Sequence, residues 1–456
     1  MERDTVAALD RLIYGAMAVS LTRSGSRNVD LAETLSDADP AAFEAMGTPE
    51  EIARRVLARV QKIAPATSAR QEETRFYEET VPNGPRTAGA ADPEYADLLA
   101  RHDACHQATH FEWDQRFSRE LRGIGQGGQG IVYRIKSDNK FNASWALKIL
   151  SPQPYSDARS YRQDMERMCD VAAAVQQIYH DNIIFVEQFR SHQGIYVMVM
   201  RVIDGFDLQR LLSDELVGRL KDTVTGPRWS ELHRVVFARC GAGRRGLTPG
   251  VAVNIIEKGL RGVGALHNEN IVHCDIKPSN IMLDCHGSIR LIDIGSAFQL
   301  GARPQPHAWT PRYAPPEVLE SNEWTPQGDL ASLGYVLIEL LSGQPDLLGP
   351  PVGSSSVHGL DRKTRDKLLV AKRQLPDRLR ELIPPVAQES KRLMDLCNKL
   401  IRPNPRDRFA SAEEAYEWTA KFKDDLVLAD LTTTWVKVIK YWVMDANRAM
   451  SGAAGD

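Results

Sequence analysis

A change of pattern along the chain limits the fold more than any other feature. From about Phe117, "LRGIGQGGQGIVYRIKSD" and "SWALKIL" read as strands around turns, "SYRQDMERMCDVAAAVQQIYH" as a helix and "GIYVMVMRVI" as a buried strand. After about residue 250 helical spacing takes over, in "VAVNIIEKGLRGVGALH" and "LASLGYVLIELLSG". A strand-rich segment followed by a helix-rich one is the pattern of an α+β body in two lobes.

Within the strand-rich part, Gly125, Gly127 and Gly130 are spaced as G-x-G-x-x-G, with Val132 just beyond. Glycine lets a backbone turn tightly and approach phosphates without a clashing Cβ. A dinucleotide-binding turn shares this spacing but needs a helix directly after it. Here "IVYRIK" follows, so a glycine hairpin between strands fits better. Taken alone, the motif also fits an ordinary Gly-rich turn. Lys148 lies inside the apolar run "WALKIL", where an unpaired ammonium is costly. It calls for a phosphate or carboxylate partner unless its head reaches solvent. "HCDIKPSNIMLD" then gathers Asp275, Lys277 and Asn280, and "IRLIDIGSA" adds Asp293. Phosphoryl transfer needs these types of group: a carboxylate to orient a hydroxyl, a cation to balance charge, and oxygen ligands for Mg²⁺.

In this order, the motifs resemble those of a eukaryotic-type (Hanks-type) Ser/Thr protein kinase in the bacterial soluble style, over roughly residues 117–423. The resemblance implies a bilobal protein kinase fold, with a β-rich N-lobe at 117–203 and a helical C-lobe at 204–423. A helical region at 1–63, a linker and helix at 64–116 and a helical tail at 424–456 flank it. It implies phosphorylation of Ser and Thr hydroxyls on protein, autophosphorylation included, with ATP and Mg²⁺. By the same resemblance, Gly125, Gly127, Gly130 and Val132 belong to the loop over the ATP phosphates, and Lys148 contacts those phosphates. Ala146, Met200, Arg201, Ile203 and Met282 would line the nucleotide pocket, with Asp207 near the ribose. Asp275 and Lys277 would be catalytic, and Asn280 and Asp293 the metal ligands. "TPRYAPPE" resembles the substrate-side loop, Asp329 the brace of the catalytic loop, and Glu317 with Arg408 a buried ion pair. Two other readings stand beside this one. One is a nucleotide-binding pseudokinase or scaffold acting through its flanking helices. The other is a small-molecule kinase, which "TPRYAPPE" disfavours.

The sequence departs from the family at several points. The helix carboxylate that should pair with Lys148 falls at Val171 by count, flanked by Glu166 and Asp170 on one helix face; Glu166 is favoured. Ile294 stands where a Phe is usual, at a packing position. Cys274 replaces the Arg before the catalytic Asp, as in "non-RD" kinases. That Arg ordinarily binds a phosphate on the activation segment, so constitutive activity, or control by another element such as the N-terminal region, is expected. An insert at 213–247 reads as a docking loop or, preferably, a solvated decoration.

The formal net charge of −3 provides no global basic field for nucleic acid. Six scattered cysteines without a CxxC read as reduced thiols rather than a disulfide framework. "MERDTVAALDRLIYGAMAVS" is unlike a signal peptide, and no stretch has the length of a membrane span, so a cytoplasmic location is expected. His102, His106 and His110 at helical spacing could hold Zn²⁺, although packing is the plainer reading. Trp435, Ile439, Trp442 and Val443 mark an apolar face near the C-terminus. That face suits docking on the protein body better than a membrane surface.

Overall fold

The computed structural model describes residues 92–108, 110–112, 116–127, 129–137, 143–240, 245–301, 309–345, 347–348, 360–421 and 434–451. All of them belong to the unit Glu79–Asp456. The helical reading of residues 1–63 lies outside the described residues.

The strand-rich lobe is an antiparallel sheet in the order β1-β2-β3-β4-β6-β5. Its strands are β1 (His110–Glu112), β2 (Arg116–Gly127), β3 (Gly130–Ser137), β4 (Ser144–Leu150), β5 (Val186–His192) and β6 (Ile195–Arg201). The glycine motif is the hairpin between β2 and β3, with Gly127 opposite Gly130. Gly130 has φ +148°, and a Cβ there would stand 1.9 Å from the Ile149 carbonyl oxygen, so no other residue fits.

Two helices pack on this sheet. Helix α1 (Pro93–Gln107) starts at Asp92, whose side chain accepts from the Glu94 N–H, with Pro93 in the first turn. Leu98 and Cys105 of α1 and Phe111 of β1 are buried in one core with Leu147 and Ile149, and His102 of α1 is buried as well. The packed lobe therefore includes residues before Phe117. Helix α2 (Ala158–Gln176) buries Tyr161, Met165, Met168, Val171, Ala172 and Val175 at helical spacing.

A segment through β7 (Gly205–Asp207) and α3 (Leu208–Leu211) leads into the helical lobe. Its centre is α6 (Pro249–Asn268) against α8 (Pro326–Ser342), and α8 is buried almost all round. The insert at 213–247 is no solvated decoration. It forms α4 (Asp214–Thr223), α5 (Gly226–Val235) and the pair β8 (Phe237–Arg239) with β9 (Arg245–Leu247). Leu220, Val235 and Phe237 enter the main core. The last helix, α13 (Thr434–Ser451), covers the insert: Trp442 packs edge-on to Phe237 and Arg228 pairs with Asp445 at 2.5 Å. Ile439, Trp442, Val443 and Ala446 are fully buried there, at about 1.5–3 kcal/mol for each large apolar side chain. Docking, not a membrane surface, therefore accounts for this face. No helix among the described residues is long and apolar enough to cross a membrane.

Candidate active site

The loop at Ile271–Asn280 runs from β10 (Ile271–Val272) to β11 (Ile281–Asp284). It is held from beneath by Asp329, which is fully buried on α8. Asp329 accepts from the backbone N–H of His273 through Oδ2 at 2.8 Å and of Cys274 through Oδ1 at 2.9 Å, and His267 Nε2 lies 2.9 Å from Oδ2. The brace fixes Cys274 at φ +67°, a conformation unusual for a side chain with a Cβ. The Cys274 side chain lies in an apolar cluster with Val272, Phe298 and Trp309. Burial pushes its thiol well above the ordinary cysteine value, and the Asp329 carboxylate adds to that.

With the loop fixed, four functional side chains converge. Lys277 Nζ lies 3.0 Å from Asp275 Oδ2 and donates to Thr310 Oγ1 at 2.8 Å. Thr310 Oγ1 donates to Asp275 Oδ1 at 2.7 Å. Asn280 Nδ2 donates to the Asp275 carbonyl at 2.7 Å and to Asp275 Oδ2 at 3.0 Å. Thr310 links this cluster to the loop before Glu317. There Glu317 and Arg408 form a two-pronged ion pair at 2.6 and 2.8 Å.

Strand β12 (Ile289–Leu291) leads to Asp293, which takes φ +61°. Lys148 on β4 donates to Asp293 Oδ1 at 2.6 Å, and the Gly295 N–H donates to the same oxygen at 3.2 Å. Burial alone would raise the Asp293 carboxyl. The Lys148 ammonium, its hydrogen bond and the Gly295 N–H outweigh burial and hold it below the ordinary carboxylate value.

The pairing with Glu166 is corrected. Lys148 contacts Asp293 and, at 3.1 Å, Gln129 Oε1. Glu166 and Asp170 are both exposed. The cause is the rotation of α2: Met165 and Met168 need burial, and their inward face turns Glu166 outward. The inward polar group is Arg167, which donates to the carbonyls of Gly295 and Ala297. Gln129 and Arg167 were not singled out from the sequence. Arg167 could have been found as the partner of Asp164 three positions before it.

The remaining predicted site residues lie on neighbouring strands. Val132 is opposite Lys148, Ala146 opposite Met200 and Met282 opposite Asp207. Asp207 caps α3 by accepting from the Arg210 N–H, while its burial raises its carboxyl. Arg201 is exposed at the end of β6, and Ile203 follows it partly buried. Gly125 stands opposite Val132 in the hairpin.

The histidine triplet is divided. Helix α1 ends at Gln107, and His110 is an exposed strand residue. His102 Nε2 and His106 Nε2 lie 3.0 Å apart as hydrogen-bond partners, and His106 Nδ1 lies 2.8 Å from the Tyr133 hydroxyl. Among the described residues, no three His, Cys, Asp or Glu side chains group as metal ligands.

A six-stranded antiparallel sheet carrying a glycine hairpin and a buried lysine, with a helical lobe carrying the Asp275 loop, is the α+β protein kinase fold. The sequence matches the protein kinase domain over residues 118–418, and the chain belongs to that family. Serine/threonine-protein kinase PknD of Mycobacterium tuberculosis is 29% identical over 301 residues, which are 64% of this chain and 37% of that protein. Serine/threonine-protein kinase PrkC of Bacillus subtilis is 28% identical over 248 residues, 54% of this chain and 33% of that protein. The chain thus spans about a third of the length of these curated relatives. The PknI kinase domain of Mycobacterium tuberculosis aligns with a TM-score of 0.45 and 20% identity, over 69% of this chain and 98% of that one.

Proposed function

We propose that this chain transfers the γ-phosphoryl group of ATP to serine and threonine hydroxyls of protein substrates, its own included. The observation that carries this reading is the joint placement of Asp275, Lys277, Thr310 and Asn280. Asp275 is an acceptor already held in geometry for a hydroxyl: Thr310 Oγ1 donates to its Oδ1 at 2.7 Å. An incoming substrate hydroxyl is oriented by that carboxylate, which takes its proton late in transfer. Lys277 sits beside the carboxylate and supplies the positive charge next to the transferring group.

The donor set fits Mg²⁺. Both Asn280 amide hydrogens go to Asp275, which leaves Oδ1 of Asn280 as a hard oxygen ligand. Lys148 and the Gly295 N–H both donate to Asp293 Oδ1, leaving Oδ2 for the same ion. When bound, the ion neutralises charge on the phosphates. Lys148 holds the Asp293 carboxylate in place and donates to Gln129, next to Gly130 of the glycine hairpin. The nucleotide would lie along Val132, Ala146, Met200, Arg201, Ile203 and Met282. We further propose a cytoplasmic site of action, and regulation through the N-terminal region in place of a phosphate read by the residue at Cys274.

The test is incubation of purified protein with Mg²⁺ and labelled ATP, beside Asp275→Ala, with phosphosites mapped by mass spectrometry. Label on Ser or Thr in the wild type alone supports the proposal. ATP binding without transfer to itself or to a generic protein acceptor would identify a pseudokinase instead.

A further inference from the structure

We infer that Arg167 positions the Asp293 segment for metal binding. It ties α2 to that segment on a helix whose Glu166 and Asp170 are exposed. The inference rests on the phosphotransfer reading for its catalytic meaning, but not for the contact itself.

The Arg167 guanidinium makes three directed contacts. Nη1 donates to the Ala297 carbonyl at 2.5 Å, Nη2 to the Gly295 carbonyl at 3.1 Å and Nε to Asp164 Oδ1 at 2.8 Å. A planar fork of N–H groups can join two carbonyls on one side while a carboxylate fixes its rear; an ammonium cannot. Asp164 is held in turn, since the Tyr155 hydroxyl donates to its Oδ2 at 2.6 Å. Tyr155 is held by α1, where the Tyr95 hydroxyl donates to its carbonyl at 2.8 Å. The segment so gripped begins at Asp293 with φ +61° and tightens into a 3₁₀ turn at Ile294–Ser296. A non-glycine residue keeps such a backbone only where its surroundings impose it.

Helix α2 does not need Arg167 to stay on the lobe. Tyr161, Met165, Met168, Val171 and Val175 already hold it by burial. What Arg167 adds is a directional tie from α2 to the turn that aims Asp293. Groups that orient a metal ligand without touching the metal affect binding through that ligand.

Two measurements test this on the full chain. Amide hydrogen exchange of residues 293–298 is followed without ligand. ADP affinity is measured by calorimetry across a Mg²⁺ titration. Arg167→Ala should speed exchange in 293–298 and raise the Mg²⁺ needed for half-maximal ADP affinity by about tenfold or more. Arg167→Lys should fall between Arg167→Ala and the wild type. Tyr155→Phe removes only the hydroxyl that holds Asp164 and should shift both readouts less, in the same direction. It decides the question if Arg167→Ala does not fold. Wild-type exchange and wild-type Mg²⁺ dependence in the folded variants would overturn the inference. If the wild type binds nucleotide but transfers no phosphate, the function fails while both readouts still judge Arg167.

Discussion

Lys148 Nζ stands 2.6 Å from Asp293 Oδ1, and this pair ties the sheet of the strand-rich lobe to the segment that follows β12. The lysine is 5% exposed, so its charge is compensated by Asp293 and the amide oxygen of Gln129 rather than by water. Removing either partner strands the other. Lys148→Ala and Asp293→Asn should each lower kcat by about 10²–10³-fold. Glu166→Ala, at an exposed position, should change the rate less than about twofold. Initial rates on a generic protein acceptor check all three.

Lys372 is fully buried on α9 (Arg362–Leu382), where Nζ donates to the Arg312 carbonyl at 2.6 Å and lies 3.9 Å from the Tyr335 ring centre. Burial pushes its ammonium well below the ordinary lysine value of 10.5, with Glu317 opposing only in part. Between the lowered folded value and 10.5 the unfolded chain holds the extra proton, so stability rises with pH across that window. Lys372→Met should flatten this rise and change neutral-pH stability by less than about 1 kcal/mol. It should raise KM for a protein acceptor more than it lowers kcat, because the Arg312 carbonyl in "TPRYAPPE" loses its donor. Urea midpoints against pH and steady-state kinetics check both halves.

Cys274 offers neither a charge to a phosphate nor a reactive thiolate. It is 1% exposed and its thiol is pushed well above the ordinary value, whereas Cys169 is exposed. A thiol reagent should label Cys169 well before Cys274 in the folded protein, as counted by peptide mass spectrometry. Phosphatase-treated protein should start at a rate within about twofold of untreated protein.

Trp442 joins α13 to the insert and is fully buried against Phe237. Trp442→Ala should cost about 3–5 kcal/mol, read from the denaturant midpoint and slope.

Much of this arrangement was legible in the residues themselves. The glycine spacing followed by "IVYRIK" indicated a hairpin, and that is where β2 turns into β3. Asp275, Lys277 and Asn280 lie within one short loop, so their convergence follows from covalent connection. Glu317 and Arg408 also met as expected. The partner of Lys148 was not legible by counting, because the rotation of α2 is set by burial of Met165 and Met168 against a sheet formed by distant residues. The insert showed apolar positions, but not that α13, some two hundred residues later, would cover them. Spacing placed the three histidines on one helix, but α1 stops before His110.

The role proposed for the Asp275 cluster is transfer of phosphate to Ser and Thr hydroxyls. Its most direct measurement is the rate of label transfer from ATP in the presence of Mg²⁺, wild type against Asp275→Ala at equal nucleotide occupancy. Phosphoserine or phosphothreonine is expected in the wild type, and a rate about 10²–10⁴-fold lower in the variant. Equal rates in the two proteins, or nucleotide binding with no transfer in either, would contradict it.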